Sequence, residues 1–327
     1  MRKCFLFFAC MVAVIGHAQL RRLDINLSNY NYPFPVHYLP VQVQKHSLQM
    51  AYMDVRPRQP NGKSVLLLHG KNFNGAYWEQ TAKALAANGY RVIIPDQIGF
   101  GKSSKPGSLQ YSFQLLAELT YTLLDSLHIP QITVVGHSMG GMLATRFALM
   151  YPSVTNKLVL VNPIGLEDWK RKVPYAGIDK QFKKELRQNY DSLKKYQLNN
   201  YYHGEWKPAY DQWLNLLAGW TLDPQYSVIA WNAALTSDMI FTQPVVYEFD
   251  QLRMPTLLII GQADRTAIGK DAVPETIKAT MGNYPALGRA TQKQIPDCKL
   301  VELPGIGHLP HIEAFDQFIG PLLDFLK

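Results

Sequence analysis

The stretch VVGHSMGGMLA, residues 134–144, joins a short apolar run to a helical pattern through closely spaced glycines. It contains the pattern G-x-S-x-G, filled by Gly136, Ser138 and Gly140. A serine on a tight turn between a strand and a helix sits in strained backbone, with its hydroxyl oxygen exposed above the sheet. The N-terminus of the following helix also stabilises a developing negative charge. We therefore predict that Ser138 is a nucleophile on a strand–turn–helix.

Short apolar runs alternate with helical patterns on both sides of this turn. The predicted strands are residues 64–69, 90–95, 132–135, 157–162, 256–261 and 299–303, and the predicted helices are 77–87, 113–127, 139–150 and 312–326. Fully apolar strands that alternate with helices indicate a parallel sheet covered on both faces. The composition, 47% hydrophobic and 18% charged over 327 residues, is that of an ordinary globular protein. The expected fold class is α/β.

The alternation of strands and helices is interrupted once. Residues 163–251 are rich in Tyr, Trp, Lys and Asn, and their patterning is helical. We predict a helical insertion at 163–251 within one α/β domain made of residues 46–162 and 252–327. Residues 19–45 contain three prolines and are expected to form an extended arm over the surface.

A nucleophilic serine needs a base, and the base needs an acid that orients it. In the fold that carries its serine on such a strand–turn–helix, the chain order is serine, acid, histidine, each after a later strand. Asp264 follows the predicted strand 256–261, and His308 follows the predicted strand 299–303. The carboxyl ends of parallel strands meet at one edge of a sheet. We expect Asp264 and His308 to meet Ser138 there.

Two backbone N–H groups are candidates to receive the negative oxygen of an acyl-transfer intermediate. His69-Gly70 ends the first buried strand, so the N–H of Lys71 can point at the same place as the N–H of Met139. Such a donor contributes about 3 kcal/mol in the transition state. The side chain of Asn72 or Asn74 is an alternative donor.

Other polar residues in these motifs are expected to be structural. His69 and His137 are predicted to bond nearby groups, and His311 competes with His308 as the base but fits the spacing less well. Asp96 is predicted to tie down its own loop. The chain has no cluster with metal-ligand spacing and no phosphate-binding loop, so we expect no metal and no cofactor.

The N-terminus has the pattern of a secretory signal peptide. A basic start, MRK, precedes thirteen uncharged residues at 4–16, and small residues lead to the expected cleavage near Ala18–Gln19. A bilayer span needs about 20 residues, so residues 1–18 are predicted to be removed rather than to stay inserted. The expected location is secreted or periplasmic, and Cys298 then remains as the single cysteine, which excludes an intrachain disulfide.

The net charge of the chain is +8, and it falls to +6 when Arg2 and Lys3 are removed with the signal peptide. This surplus is modest and scattered along the sequence. It does not form the basic stripe of a nucleic-acid-binding protein, so we expect no nucleic-acid partner.

Taken together, the motifs resemble those of the α/β-hydrolase superfamily. The resemblance rests on LLLHG (66–70), IIPDQIGFGKSS (93–104), VVGHSMGGMLA (134–144), LLIIGQADR (257–265) and LPGIGHLPHIE (303–313), and it covers nearly all of the mature chain. It implies an α/β-hydrolase fold, Ser138 as nucleophile, Asp264 as acid, His308 as base and a lid at 163–251. The group includes carboxylesterases, pimeloyl-carrier-protein methyl ester esterases, cofactor-free haloperoxidase-like enzymes and carbon–carbon bond hydrolases.

The segment Lys71–Asn74 departs from this group, whose members often carry proline or glycine there. The expected function is a secreted serine hydrolase that acts on a small or medium carboxylic ester. A carbon–carbon bond hydrolase that attacks a diketone with the same residues is one alternative, and a non-catalytic ligand-binding module is another. Ser138 argues against an epoxide hydrolase or dehalogenase, which would carry Asp there. Substrate identity and oligomeric state do not follow from the sequence.

Overall fold

The computed structural model describes residues 20–327. The predicted signal peptide, residues 1–18, and its cleavage site lie outside the described residues. Within residues 20–327, none of the helices has both the length and the apolar character needed to cross a membrane.

An eight-stranded sheet forms the centre of the described chain. Its strands are β1 (Val36–Val43), β2 (His46–Val55), β3 (Ser64–Leu68), β4 (Arg91–Pro95), β5 (Ile132–His137), β6 (Thr155–Val161), β7 (Thr256–Gly261) and β8 (Cys298–Leu303). The strand order is β1-β2-β4-β3-β5-β6-β7-β8. β2 runs antiparallel to both of its neighbours, and all other pairs are parallel. The prediction of a mostly parallel α/β sheet is confirmed.

Eleven α-helices flank or extend this sheet in the described chain. They are α1 (Glu79–Ala87), α2 (Phe113–Ser126), α3 (Met139–Met150), α4 (Ile178–Glu185), α5 (Tyr190–Asn200), α6 (Asp211–Trp220), α7 (Tyr226–Thr242), α8 (Glu275–Lys278), α9 (Tyr284–Gln294), α10 (Pro310–Glu313) and α11 (Phe315–Leu326). Alternate strand residues belong to two separate apolar clusters, one with α2, α3 and α9 and one with α1 and α11. The sheet is therefore covered on both faces, as fully apolar strands require.

The N-terminal region differs from the prediction of an arm over residues 19–45. Residues 36–43 form β1, which pairs along its whole length with β2, so the sheet begins ten residues before the predicted boundary at 46. Pro40 argued against a strand there, because proline cannot donate a ladder hydrogen bond. It is tolerated because β1 is the edge strand of the sheet.

Residues 20–35, which we call the N-terminal arm, connect the helical insertion to the sheet. The N–H of Leu23 donates to the carbonyl of Gly219 at 3.0 Å, and the indole of Trp220 donates to the carbonyl of Asp24 at 3.0 Å. At the other end of the arm, the hydroxyl of Tyr32 donates to Asp96 beyond β4 at 2.6 Å. The arm therefore holds α6 of the insertion against the main body of the protein.

The insertion, residues 163–251, contains α4 to α7 and short single-turn helices, and none of its described residues forms a strand. It enters after β6 and leaves before β7. β6 ends at the edge where Ser138 lies, so the insertion starts beside the candidate site. Because β7 is parallel to β6, the insertion then returns to the opposite edge of the sheet before β7 begins.

Candidate active site

Ser138 lies on a sharp turn between β5 and α3. Its backbone has φ 57° and ψ −121°, a conformation that residues other than glycine rarely adopt. A Cβ added to Gly136 would lie 2.1 Å from the carbonyl oxygen of Gly140, and one added to Gly140 would lie 2.2 Å from that of Leu68. Only glycine fits at these two positions, so the sequence motif holds Ser138 in the strained turn.

Asp264 and His308, which lie 44 residues apart in sequence, form a fully buried pair. Nδ1 of His308 lies 2.6 Å from Oδ2 of Asp264. The same carboxylate accepts hydrogen bonds from the N–H of Thr266 at 2.7 Å and the amide of Asn162 at 2.9 Å. Since a carboxylate with these donors acts as an acceptor, it holds the proton of His308 on Nδ1 and leaves Nε2 with a lone pair.

The loops that carry Ser138 and His308 meet through His137. Nε2 of His137 donates to the carbonyl oxygen of His308 at 2.8 Å, and the two imidazole rings are 4.8 Å apart between centroids. Nε2 of His308 is buried and has no hydrogen-bond partner among residues 20–327, Ser138 included. Catalytic hydrogen bonds are often long or misaligned before a substrate binds. The structure thus joins His308 to Asp264 directly, and connects the turn of Ser138 to His308 through His137, without a hydrogen bond from Ser138 itself.

The two predicted oxyanion donors both lie close to Ser138 along the backbone: Met139 follows it directly, and Lys71 follows Gly70, which packs against it. A Cβ added to Gly70 would lie 3.0 Å from Cβ of Ser138 and 3.5 Å from its Oγ, so the backbone before Lys71 runs directly past the serine. Within the described chain, the N–H groups of Lys71 and Met139 donate to no acceptor. The Asn72 amide, an alternative donor in the sequence analysis, instead donates to the hydroxyl of Tyr201 at 2.7 Å.

A buried chain of hydrogen bonds connects these loops. The N–H of Gly70 donates to the hydroxyl of Tyr77 at 2.9 Å, and that hydroxyl lies 2.9 Å from Nδ1 of His137. Since Nε2 of His137 must donate to the carbonyl of His308, Nδ1 accepts the proton of Tyr77. Burial, with His311 and His308 nearby, lowers the pKa of His137 well below its usual value, so this imidazole is neutral. The chain therefore fixes Gly70, His137 and His308 relative to one another.

The remaining histidines and Asp96 have the structural contacts expected of them. Nδ1 of His69 bonds the carbonyl of Gly70, and its Nε2 accepts from the N–H of Gln97 at 3.0 Å. Asp96 accepts from the N–H of Lys102 in its own loop at 2.7 Å, and also from two distant groups, the N–H of Gly75 at 2.7 Å and the hydroxyl of Tyr32 at 2.6 Å. His311 has no hydrogen bond in the described chain and stacks on Trp78 at 4.3 Å between centroids. His308, and not His311, is thus the histidine paired with the acid.

One residue of the insertion, Tyr201, reaches the centre of the site. Its carbonyl accepts from the N–H of His308 at 2.8 Å, and its ring stacks on the imidazole at 4.7 Å between centroids. Tyr201 was not among the predicted site residues, because it follows α5 in a segment without a motif. Tyr77 and Asn162 were also missed, although both lie just beyond motifs that had been identified.

A mostly parallel sheet, with a strained serine turn and a buried acid–histidine pair at its carboxyl edge, defines a hydrolase of the α/β type. Comparison with protein families agrees, since the model described as the alpha/beta hydrolase fold matches residues 63–315. The chain belongs to the α/β-hydrolase family.

Individual relatives extend this comparison. A crystal structure described as a "probable hydrolytic enzyme" from Pseudomonas aeruginosa PAO1 shares 50% identity and a TM-score of 0.93, covering 95% of this chain and all of that one. A "putative non-heme chloroperoxidase" from Synechocystis is 27% identical over 88% of this chain and 98% of its own length. The 2-hydroxy-6-oxo-6-phenylhexa-2,4-dienoate hydrolase of Burkholderia cepacia is 28% identical over 81% and 88%, respectively. The protein is an α/β-hydrolase enzyme.

Proposed function

We propose that this protein is a serine hydrolase that cleaves a small or medium carboxylic ester through an acyl-enzyme on Ser138. The observation that carries the proposal is the buried pair of His308 and Asp264, 2.6 Å apart, beside the strained turn of Ser138. Such a pair supplies an oriented base with a free Nε2 next to a hydroxyl, which is the arrangement that serine-based acyl transfer needs.

In the proposed mechanism, Oγ of Ser138 attacks the ester carbonyl while Nε2 of His308 takes the hydroxyl proton. Asp264 keeps the imidazole oriented and stabilises its positive form. The carbonyl oxygen becomes negative and is received by the N–H groups of Lys71 and Met139. Collapse of this intermediate expels the alcohol, which takes the proton from His308. Water then attacks the acyl-enzyme by the same route and releases the carboxylic acid.

The surroundings of the site support a largely apolar acyl or aryl group in the substrate. Ser138 is only 7% exposed, and the ring of Tyr201 covers His308. Phe73, which follows the predicted oxyanion donor, is buried and lies 6.0 Å from Tyr201 between ring centroids. Aromatic walls of this kind suit an apolar ligand that carries one polar reacting group. In this proposal, the insertion is the lid of the active site.

A second candidate is a carbon–carbon bond hydrolase, which would use the same three residues on a diketone. The observation that favours it is the similarity to the dienoate hydrolase of Burkholderia cepacia over 81% of this chain. A panel of p-nitrophenyl esters of increasing acyl length, run beside a diketone, separates the two. Turnover of the diketone alone would favour the carbon–carbon bond hydrolase.

A fluorophosphonate probe tests the nucleophile without knowledge of the substrate. We expect the wild-type protein to be labelled at Ser138, as located by peptide mass spectrometry, and the variant Ser138→Ala to be unlabelled. That variant should also lose activity by about a million-fold, as in comparable triads. Ser153→Ala, which removes an exposed hydroxyl, is the matched control and should behave as wild type. A folded wild-type protein that is not labelled would favour the non-catalytic binding module.

We also propose that the protein is exported, on the strength of the basic start and uncharged run at residues 2–16. Expression of the full chain should give a secreted or periplasmic protein whose N-terminus, by mass spectrometry, lies near Gln19. Insertion of two arginines into residues 4–16 should abolish export. An intact residue 1 on the exported protein would contradict cleavage.

A further inference from the structure

The loop after β3, residues 69–74, which we call the β3 loop, is attached to the insertion by two side chains. Nζ of Lys71 lies 2.9 Å from Oε1 of Glu185, the last residue of α4. The amide of Asn72 donates to the hydroxyl of Tyr201, just after α5, at 2.7 Å. Lys71 and Asn72, which make these two contacts, lie in the segment 71–74. At this segment the α/β-hydrolases that the chain resembles often carry proline or glycine instead.

The contact between Lys71 and Glu185 is shielded from solvent. The two side chains are 16% and 19% exposed. The adjacent residue of the same helix, Lys184, also pairs across to the main body, with Asp271 at 3.6 Å, but those side chains are 62% and 87% exposed. Exposed pairs contribute little to stability, because solvent and salt screen them. The pair of Lys71 and Glu185 is the stronger restraint of the two.

The β3 loop is also held from within, at the carbonyl of Gly70. This oxygen lies 2.9 Å from Nδ1 of His69 and accepts from the N–H of Phe73 at 3.2 Å. The N–H of Lys71 makes no bond in the described chain, as an oxyanion donor must not. The direction of this N–H is therefore set from two sides: by the contacts on the Gly70 carbonyl of the same peptide group, and by the contacts of the Lys71 and Asn72 side chains with the insertion.

The insertion side of both contacts is itself anchored. The carbonyl of Glu185 accepts from the hydroxyl of Tyr226 on α7 at 3.1 Å. Tyr201 accepts from the N–H of His308 and stacks on its ring. One segment of the insertion thus contacts the base and, through Asn72, the β3 loop.

We propose that Glu185 and Tyr201 are positioning residues that hold the β3 loop so that the N–H of Lys71 points at the oxyanion. This inference rests on the proposed serine-ester function. In this proposal, the insertion helps to stabilise the transition state when it is packed against the β3 loop, in addition to lining the pocket. Since an oxyanion exists only in the transition state, loosening the loop should lower kcat and leave KM nearly unchanged.

Truncation of the ion pair gives the direct test. Glu185→Ala and Lys71→Met, which keeps its backbone N–H, should each lower kcat about tenfold, because small misplacements of catalytic donors are costly. KM should change less than about twofold. The double variant should be no slower than either single variant, since each change removes the same contact. Lys184→Ala, the matched truncation on the same helix, should keep kcat within about twofold of wild type.

The hydroxyl of Tyr201 is tested separately, with the ring kept in place. Tyr201→Phe leaves the stack on His308 and the carbonyl contact, but removes the acceptor of Asn72. We expect kcat to fall about threefold with KM unchanged. Tyr202→Phe is its control, because the hydroxyl of Tyr202 is buried and has no partner in the described chain.

The rate of labelling by the fluorophosphonate probe gives a readout independent of substrate, since its phosphoryl oxygen uses the same donors. Glu185→Ala should label about tenfold more slowly than Lys184→Ala. Equal labelling and equal kcat in these two variants would overturn the inference, as would an effect on KM alone. Each of those results leaves wild-type labelling at Ser138 intact. A wild-type protein that does not label would instead overturn the proposed function and this inference with it.

Discussion

The central strands and the helical insertion contribute to one site by different means. β5 and β7 are buried at every residue, whereas α4 buries none and α5 buries only Gln197. The strands lie between helices on both faces, and their positions are set by backbone ladders and close packing. The insertion reaches the site through a few side-chain and carbonyl contacts, such as that of Tyr201 with His308.

This difference shows what fixes the positions of the site residues in each region. At the strand ends, a residue's place follows from the register of parallel strands, and close-packed interiors resist any change of volume. In α4 and α5 of the insertion, which bury almost nothing, the position of a residue depends on individual bonds, which can be removed one at a time. Changes at the strand ends should therefore have larger effects than changes in the insertion.

The largest expected effect is that of Asp264→Asn. An amide at this position can donate to Nδ1 and so favours the tautomer with its proton on Nε2, where it cannot accept from Ser138. We expect kcat to fall by about 10⁴-fold, with the fold retained. Asp271→Asn changes an exposed carboxylate in the following loop and should keep full activity. More than a tenth of wild-type activity in Asp264→Asn would contradict the role of the acid.

The buried histidines should make stability depend on pH. Burial, with other histidines nearby, holds the pKa of His137 and His311 well below the ordinary value of about 6.5. The two histidines contribute fully to stability when the pH is above the pKa that they have in the unfolded chain. This contribution is lost as the pH falls from that value towards their lower pKa in the folded protein, because the unfolded chain then binds protons that the folded protein does not. From pH 7 to 5, the free energy of unfolding should therefore fall, with about 2 kcal/mol per histidine as the upper limit, which a side chain that stays neutral throughout would reach.

Urea unfolding at the two pH values measures this loss of stability. The variant His311→Phe shows how much of the loss is due to His311 and how much to His137. The ring of His311 makes no hydrogen bond in the described chain, so phenylalanine should pack in its place at little cost at pH 7. The loss between pH 7 and 5 should shrink, by at most about 2 kcal/mol. An unchanged loss in this variant would show that His311 does not remain neutral.

Replacing a glycine by alanine should destabilise the protein more at the strand ends than in the insertion. In Gly140→Ala, the new Cβ meets the backbone oxygens of Leu68 and His69 within 3 Å. Because neither can move freely, we expect a loss of about 3 kcal/mol in the free energy of unfolding. Gly177, which precedes α4, has φ −57° and nothing near its added Cβ, so Gly177→Ala should change stability by at most about 1 kcal/mol. Equal losses by thermal or urea unfolding would contradict the contrast.

The smallest expected effect is that of Tyr77→Phe. It removes the hydroxyl between Gly70 and His137, and so leaves a buried N–H and a buried ring nitrogen unpaired. We expect a loss of about 1–2 kcal/mol in stability and a fall in kcat of several fold, with KM unchanged. Tyr202→Phe removes a buried hydroxyl without a partner and should change neither. A Tyr77→Phe variant indistinguishable from Tyr202→Phe would argue against the hydrogen-bond chain.

The main part of the fold could be predicted because short stretches of sequence carry its signals. Apolar runs of strand length predicted six of the eight strands, and the residues after their ends predicted where Asp264 and His308 would meet. β1 was missed because Pro40 signals against a strand unless its edge position is known, and the strand order is not visible in the sequence. Tyr77 and Tyr201 were missed because hydrogen bonds of side chains across long stretches of sequence have no local pattern.

The sequence by itself determined the α/β class, the glycines that hold Ser138 in its turn and the order of the acid and the histidine. Each of these depends on periodicity or on steric limits at one backbone position, which a short stretch of residues specifies completely. The tertiary structure decided how closely His308, already favoured over His311 by the sequence, pairs with Asp264. It also decided that Glu185 and Tyr201 reach the β3 loop. Those contacts join residues more than forty positions apart in sequence, and their geometry exists only once the sheet and the insertion have packed together.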